Sequence, residues 1–239
     1  MSKDERVAVV TGATGGLGRV VTRMLLERGM RVVANYRSDG KLRDLKGFLG
    51  PLGANVVYVK ADVTLEAEVD ALFKAAMGAH GRVDVLLNIA GGWYGGAEVQ
   101  DIPLADWERI MDVNLKTTFL CSRAALAIMA KQGYGKIVSV ASRLAVDKRS
   151  RAKAAAYAVS KAGIVVLTET MAEEAKRHGV NVHVVLPSTI DTETNRRNNP
   201  QADFSKWVRP EEIGKLMLFL ISDDSRESTG AVVPIYGRV

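Results

Sequence analysis

Three side chains between positions 142 and 161 have the chemistry to polarise a carbonyl group and deliver a proton to it: the Ser142 hydroxyl, the Tyr157 phenol and the Lys161 ammonium. Tyr157 and Lys161 stand four apart in 152–175, a stretch dense in Ala, Leu, Met and Glu, so a helix there sets both on one face, a turn apart. A free tyrosine titrates near ~10, and bringing it to neutrality takes about 3 pKa units, or roughly 4 kcal/mol in favour of the phenolate. One ammonium at ~4 Å contributes an energy of that order at an effective dielectric of about 20. A Tyr-x-x-x-Lys pair also arises by accident, so its weight comes from its company. That company is a glycine-rich turn near the start of the chain, the run Asn88-Ile89-Ala90-Gly91 after an apolar stretch, and Asn114 within an apolar helical face.

The elements that must position these groups can be read in order. With 239 residues, 47% of them hydrophobic, and no linker, the chain suits one α/β domain over 1–239 with a substantial core. No apolar run is long enough to span a bilayer, no signal segment is visible, and Cys121 has no second cysteine to pair with, so a cytoplasmic protein is expected. The net charge of +6 is scattered among interleaved acids, which does not imply nucleic-acid binding. His80, His178 and His183 do not cluster with acids or with Cys121, so no metal is expected.

Residues 7–10 form a short apolar run, as in a strand buried on both faces, and feed into Thr11-Gly12-Ala13-Thr14-Gly15-Gly16-Leu17-Gly18. Leu17, Val20, Val21, Met24 and Leu25 then mark a helical face. Strand, glycine turn and helix make a phosphate-binding opening, in which the helix N-terminus supplies donors and positive dipole. The second strand, 31–35, ends without the acid that usually holds a ribose 2′-hydroxyl. It reads Asn35-Tyr36-Arg37-Ser38, and a guanidinium with a hydroxyl there suits a 2′-phosphate, favouring NADP(H) over NAD(H). The alternative is that Arg37 is a solvated loop residue blunted by Asp39. Further strands are expected at 56–59, 83–87, 136–140, 182–186 and 231–235, and helices at 65–79, 106–132 and 210–221. Asp62 either belongs to the nucleotide site or, with Thr64, caps the helix at 65. The Asn114 amide either bonds a neighbouring backbone group or holds water in a proton path to Lys161. The alternation predicts a Rossmann-type doubly wound parallel sheet of about seven strands, flanked by helices, with its ligand at the C-terminal strand ends.

Taken together, these motifs resemble the short-chain dehydrogenase/reductase family over essentially the whole chain and in the family's order. The resemblance implies that Tyr157 donates the proton, Lys161 lowers its pKa and holds the nicotinamide ribose, Ser142 binds the substrate oxygen and Asn114 supports the relay. It implies cofactor contacts from Gly12, Thr14, Gly16, Leu17 and Gly18, from Tyr36, Arg37 and Ser38, and from Asp62 and Val63 beside the adenine. It implies further contacts from Asn88, Ala90 and Gly91, from Tyr157 and Lys161, and from Pro187, Ile190 and Thr192 around the carboxamide. The chain departs from the pattern at Ile89, where a second Asn is usual, and at Ser188, where Gly is usual. The loop between Ser142 and Tyr157 is somewhat long, which leaves Ser139 and Ser150 as alternatives to Ser142. The resemblance also implies a homotetramer or homodimer paired through the helices carrying Asn114 and Tyr157.

Two segments, 90–96 with Trp93 and 186–207, look like those of dihydropteridine reductases, in which Trp93 could stack on a flat ring. That branch lacks the serine and carries an acid at the ribose. The chain therefore looks more like the 3-oxoacyl carrier-protein reductases, whose anionic phosphopantetheine substrates would suit Arg143, Lys148, Arg149 and Arg151. The irregular stretch 188–209 reads as a substrate loop, either a mobile lid or a plain surface loop. A non-catalytic nucleotide sensor on the same fold is the alternative of another class.

Overall fold

The computed structural model describes residues 5–148 and 151–238. Arg149 and Ser150, two residues of the basic loop considered above, lie outside the described residues. Seven strands run parallel in one sheet: β1 (Val7–Thr11), β2 (Arg31–Tyr36), β3 (Val56–Lys60), β4 (Val85–Asn88), β5 (Gly135–Val140), β6 (Val180–Pro187) and β7 (Val232–Ile235). Their order across the sheet is β3-β2-β1-β4-β5-β6-β7, so the chain starts in the middle, builds outward to β3, and crosses back to continue from β4. Helices cover both faces, so every residue of β1, β4 and β5 is buried, and 7–10 and 85–87 read as unbroken apolar runs.

One face of the sheet is packed by α1 (Gly16–Glu27) and α8 (Pro210–Leu220), with Val21, Leu25, Ile213 and Met217 against Val10, Leu87 and Val138. Between them in sequence, α2 (Asp39–Leu49) follows β2 at the sheet's edge. The other face is packed by α3 (Glu66–His80), α5 (Thr117–Gln132) and α6 (Ala155–Ala175), with Leu72, Leu120 and Met171 against Val9, Leu86 and Ile137.

Two helices differ from the sequence expectation. The long helix expected at 106–132 is α4 (Leu104–Met111), a π-helical turn over Asp112–Lys116, and then α5. The Thr117 and Thr118 hydroxyls donate to the Asn114 carbonyl at 3.1 and 2.8 Å, satisfying a backbone group within this widened turn. The helix expected from 152 begins at Ala155, because Lys153 takes a left-handed conformation (φ 59°) and its carbonyl accepts from Gly96 N at 2.7 Å. Within the loop at 188–209, α7 (Glu193–Asn198) is capped by Thr192, and Ile190 pairs with Val208.

Candidate active site

All seven strands end on one side, and the site forms there where β1 and β4 lie side by side and the chain turns away in opposite directions. Gly12 leaves β1 with φ 65° and passes so close to β4 that a Cβ on it would sit 2.8 Å from Ala90 N. Gly16 opens α1 where a Cβ would meet Thr192 Cγ2 at 2.6 Å, so the glycine turn and the substrate loop touch. Along this line runs a cleft of about 520 Å³. Gly12, Thr14, Gly16, Leu17, Gly18, Tyr36, Arg37, Asp62, Val63, Ala90, Gly91 and Ile190, each anticipated from the sequence, line it.

At one end of the cleft, Arg37 faces Asp62, with 3.7 Å between guanidinium and carboxylate. Burial pushes the Asp62 carboxyl up, but hydrogen bonds from Thr64 N and Oγ1 and the nearby Arg37 charge outweigh it and hold the group below its usual range. Those Thr64 bonds close a turn ahead of α3. The residue preceding that helix is Leu65, so Asp62 is not its N-cap, and it lines the cleft as well. Ser38 precedes α2 without a side-chain capping bond.

At the other end, Lys161 is buried and donates from Nζ to the Val140 carbonyl at 2.9 Å. Its ammonium lies 5.7 Å from the centre of the Tyr157 ring. With no acid beside it, burial brings Lys161 down to about 8. Tyr157 departs from expectation: burial raises the phenol above its ordinary value, although a hydrogen bond with the Ser142 side chain pulls the other way. The desolvation of the ring outweighs the contribution of Ser142. A phenol that keeps its proton at neutrality is the form a proton donor requires.

Ser142 sits at the exit of β5, where its Oγ also accepts from Leu144 N at 3.3 Å. Ser139 is excluded as its substitute, because it lies inside β5, fully buried, and its hydroxyl accepts from Asn88 Nδ2 at 3.2 Å. Asn88 donates to Ser122 Oγ as well, at 2.9 Å, so it ties β4 to β5 and α5. The Asn114 side chain bonds neighbouring backbone and Ser160. Its amide accepts from Gly92 N at 3.0 Å and donates to Gly92 O at 3.1 Å and to Ser160 Oγ at 3.1 Å. Gly91 packs here without a side chain, since a Cβ would meet Asn114 Oδ1 at 2.7 Å and Lys161 Nζ at 3.4 Å. Pro187 closes β6 beside Ile235, and Thr192 Oγ1 accepts from Asn195 N at 3.3 Å.

The chain matches the family of short chain dehydrogenases over residues 6–203. It belongs to that family. Among its relatives, the (2S)-[(R)-hydroxy(phenyl)methyl]succinyl-CoA dehydrogenase subunit BbsD of Thauera aromatica is 34% identical, with 99% of this chain and 97% of the relative covered. The 3-oxoacyl-[acyl-carrier-protein] reductase FabG of Vibrio cholerae is 31% identical, with 99% and 98% covered. Of solved structures, levodione reductase superposes with a TM-score of 0.91 at 28% identity, covering 97% of this chain and 96% of that one.

This short-chain dehydrogenase also lines its cleft with Ile89, noted above only as a departure from the pattern, and with residues not assigned to the site from the sequence: Asn35, Ala61, Arg109, Val113 and Thr117 among them. Asn35 had a signal, a polar residue closing a buried strand, and it accepts from Gly12 N at 3.4 Å while donating to Ala61 O at 2.8 Å. Arg109, Val113 and Thr117 repeat every fourth residue, a helical face, but their apolar and charged mixture looked like any amphipathic surface. The basic loop needs a correction. Arg143 pairs with Asp147 at 2.9 Å and lies over the Tyr236 ring, and Arg151 donates to the carbonyls of Leu144 and Ala145. Both guanidiniums are thus engaged within the protein, Arg143 by Asp147 and Arg151 by the loop's own carbonyls.

Proposed function

We propose that this short-chain dehydrogenase is an NADP(H)-preferring oxidoreductase that transfers hydride between nicotinamide and a ketone or secondary alcohol. The observation that carries the reading is that Ser142, at the exit of β5, lies close enough to Tyr157 to lower its phenol pKa, with Lys161 a turn further along the helix that carries Tyr157 and 5.7 Å from its ring centre. The cleft fits a dinucleotide: an open glycine turn at the N-terminus of α1, Arg37 at one end, and at the other Gly91 and Val140, directly behind which lies the Lys161 ammonium. Bound nicotinamide supplies or accepts the hydride. In the reducing direction, Ser142 holds the substrate oxygen by a hydrogen bond and Tyr157 protonates that oxygen as charge develops on it. The Lys161 ammonium stabilises the phenolate left behind, and Asn114, by fixing the Gly92 segment against Ser160, keeps Lys161 and Gly91 in register. Tyr157→Phe should lose ~10² to 10⁴ in turnover while cofactor affinity, followed by nucleotide fluorescence, stays nearly constant. Full activity in that variant would overturn the assignment.

The cofactor preference rests on Arg37, whose partner Asp62 is held weakly and leaves a guanidinium for a 2′-phosphate. A charge-assisted contact of about 1.5 to 3 kcal/mol corresponds to roughly tenfold to a hundredfold in affinity for NADPH over NADH. Combining Tyr36→Asp with Arg37→Ala should reverse the order in parallel titrations.

The substrate reading is a 3-oxoacyl thioester. It is supported by the two relatives above, one named for a succinyl-CoA and the other for a 3-oxoacyl-[acyl-carrier-protein]. The pterin alternative has less behind it, because Ser142 is present beside Tyr157 and a carbonyl oxygen is what needs both. By the resemblance, pairing of subunits through the helices that carry Asn114 and Tyr157 belongs to the same proposal. A substrate panel of keto thioesters, cyclic and linear ketones and quinonoid pterins, read by NADPH oxidation, decides among them.

A further inference from the structure

The Trp93 indole is 62% exposed, although its ring centre lies only 4.6 Å from that of Tyr157, with the two planes at 62°. A tryptophan whose task was to pack the tyrosine would be covered itself. Instead the loop around it is shaped to hold the indole still and leave it open. A Cβ on Gly95 would meet Trp93 Cζ2 at 2.7 Å and the Lys153 carbonyl at 3.3 Å, so only a glycine lets the ring lie down there. Gly96 N then clamps the loop to Lys153 O at 2.7 Å. Lys153 is the one non-glycine residue with positive φ among the described residues, and such strain persists where the surroundings over-determine it.

Position decides what the open ring would meet. A carbonyl oxygen bonded to Tyr157 lies about 2.7 Å from the phenol oxygen, so a substituent attached directly to the reacting carbon is the part of the substrate brought beside Trp93. A flat or alicyclic ring fills an open indole face better than a flexible chain, because it brings area without losing rotamers. We infer that Trp93 is a specificity-determining residue, and that the enzyme prefers ketones whose reacting carbon bears an aryl or cycloalkyl ring. This rests on the carbonyl-reductase reading and narrows it: the ring sits on the carbon that receives the hydride, whichever acyl carrier lies beyond it.

The test compares ring and chain at equal carbon count. The pairs are acetophenone against 2-octanone, and the 3-oxo-3-phenylpropanoyl against the 3-oxononanoyl thioester of N-acetylcysteamine, each assayed with NADPH in wild type, Trp93→Ala and Trp93→Phe. Trp93→Ala should lower kcat/KM for the ring member about 3- to 10-fold, change the linear member less than about 2-fold, and be largely rescued in Trp93→Phe. Equal losses on ring and chain would mean that Trp93 only positions Tyr157, and no loss on either would mean that the substrate does not reach it. Either result overturns the inference. A binding measurement separates it from the catalytic reading: acetophenone titrated into NADP⁺-loaded protein should quench indole fluorescence saturably, and Trp93→Phe should abolish the saturable part. If the wild type turns over no ketone, that reading falls, and the quench alone decides the inference. Its presence, with loss in Trp93→Phe, sustains the ring site, and its absence overturns it.

Discussion

Lys161 is held by opposing demands. The role proposed for it needs its charge, yet it is buried with the Val140 carbonyl as its one hydrogen-bond partner among the described residues, and burial brings its pKa from 10.5 to about 8. The sign of the consequence can be worked out for folding and for catalysis separately. Between about pH 8 and the unfolded value near 10.5, the unfolded chain binds more protons at this site than the folded chain, so the group's contribution to stability rises with pH. Over the same range the ammonium that supports Tyr157 is lost. The kcat/KM for cofactor, which reports the free enzyme, should therefore fall above about pH 8 while resistance to denaturant does not, and parallel falls in both would show general alkaline unfolding instead. Tyr157, Lys161, Ser142 and the glycines could be singled out in the sequence because the chemistry proposed for them demands their types, and the structure gathers them at the same end of the sheet. The direction of the Tyr157 shift was not legible there, since a spacing of four conveys proximity to a charge and says nothing of how much water the fold removes from the ring.

At the scale of elements, the loop between β5 and α6 shows how composition misleads. Its cations looked like a surface for an anionic carrier, but Arg151 reaches back to the carbonyls of Leu144 and Ala145, just beyond the serine. Charged hydrogen bonds of this kind contribute about 1.5 to 3 kcal/mol each, here to the local order of the segment that aims Ser142. Arg151→Ala should thus impair reduction of a small neutral ketone as much as that of a thioester, with cofactor affinity unchanged. A selective loss on the anionic substrate would restore the electrostatic role. Ser188 has a comparable explanation. Its hydroxyl donates to Tyr236 O at 2.7 Å, tying the end of β6 to the segment that leaves β7, a bond the glycine usual at this place could not make. The π-helical turn at Asp112–Lys116 was hidden for a different reason, because a shift in backbone hydrogen-bond partner leaves the apolar periodicity on either side intact.

For the whole molecule, the sheet was the most legible feature, since parallel strands buried on both faces must be apolar throughout. A buried histidine departs from that rule. His183 is fully buried in β6, opposite Val138 of β5, and neither ring nitrogen has a partner among the described residues. Burial first, and the Lys136 charge second, lower its pKa from 6.5 to about 4. Lys136 is itself buried and donates to Asn181 Oδ1 at 2.7 Å, with Asp223, Arg6 and Arg226 as the other charges bearing on it. The unfolded chain takes up a proton at this histidine below pH 6.5 and the folded chain does not until about pH 4, so stability falls on acidification through that window. Integrated from pH 7 to pH 5, the loss is about 2 kcal/mol. Urea midpoints for wild type and His183→Leu at the two pH values should show the difference shrinking by about that amount in the variant.

The strand order has one more consequence, for the chain as it is made. β1 occupies the middle of the finished sheet, with β2 on one side and β4 on the other, but β4 begins only at Val85. At a synthesis rate of about 5 to 20 residues per second, the β4-facing edge of Val7–Thr11 emerges roughly 4 to 15 s before its partner. During that interval the nascent chain carries an unpaired, wholly apolar parallel edge, the kind that recruits other strands. The nucleotide half of the enzyme is thus the part that most needs shielding at the ribosome, and the arrival of β4 both closes that edge and brings Ile89, Ala90 and Gly91 to the wall of the cleft.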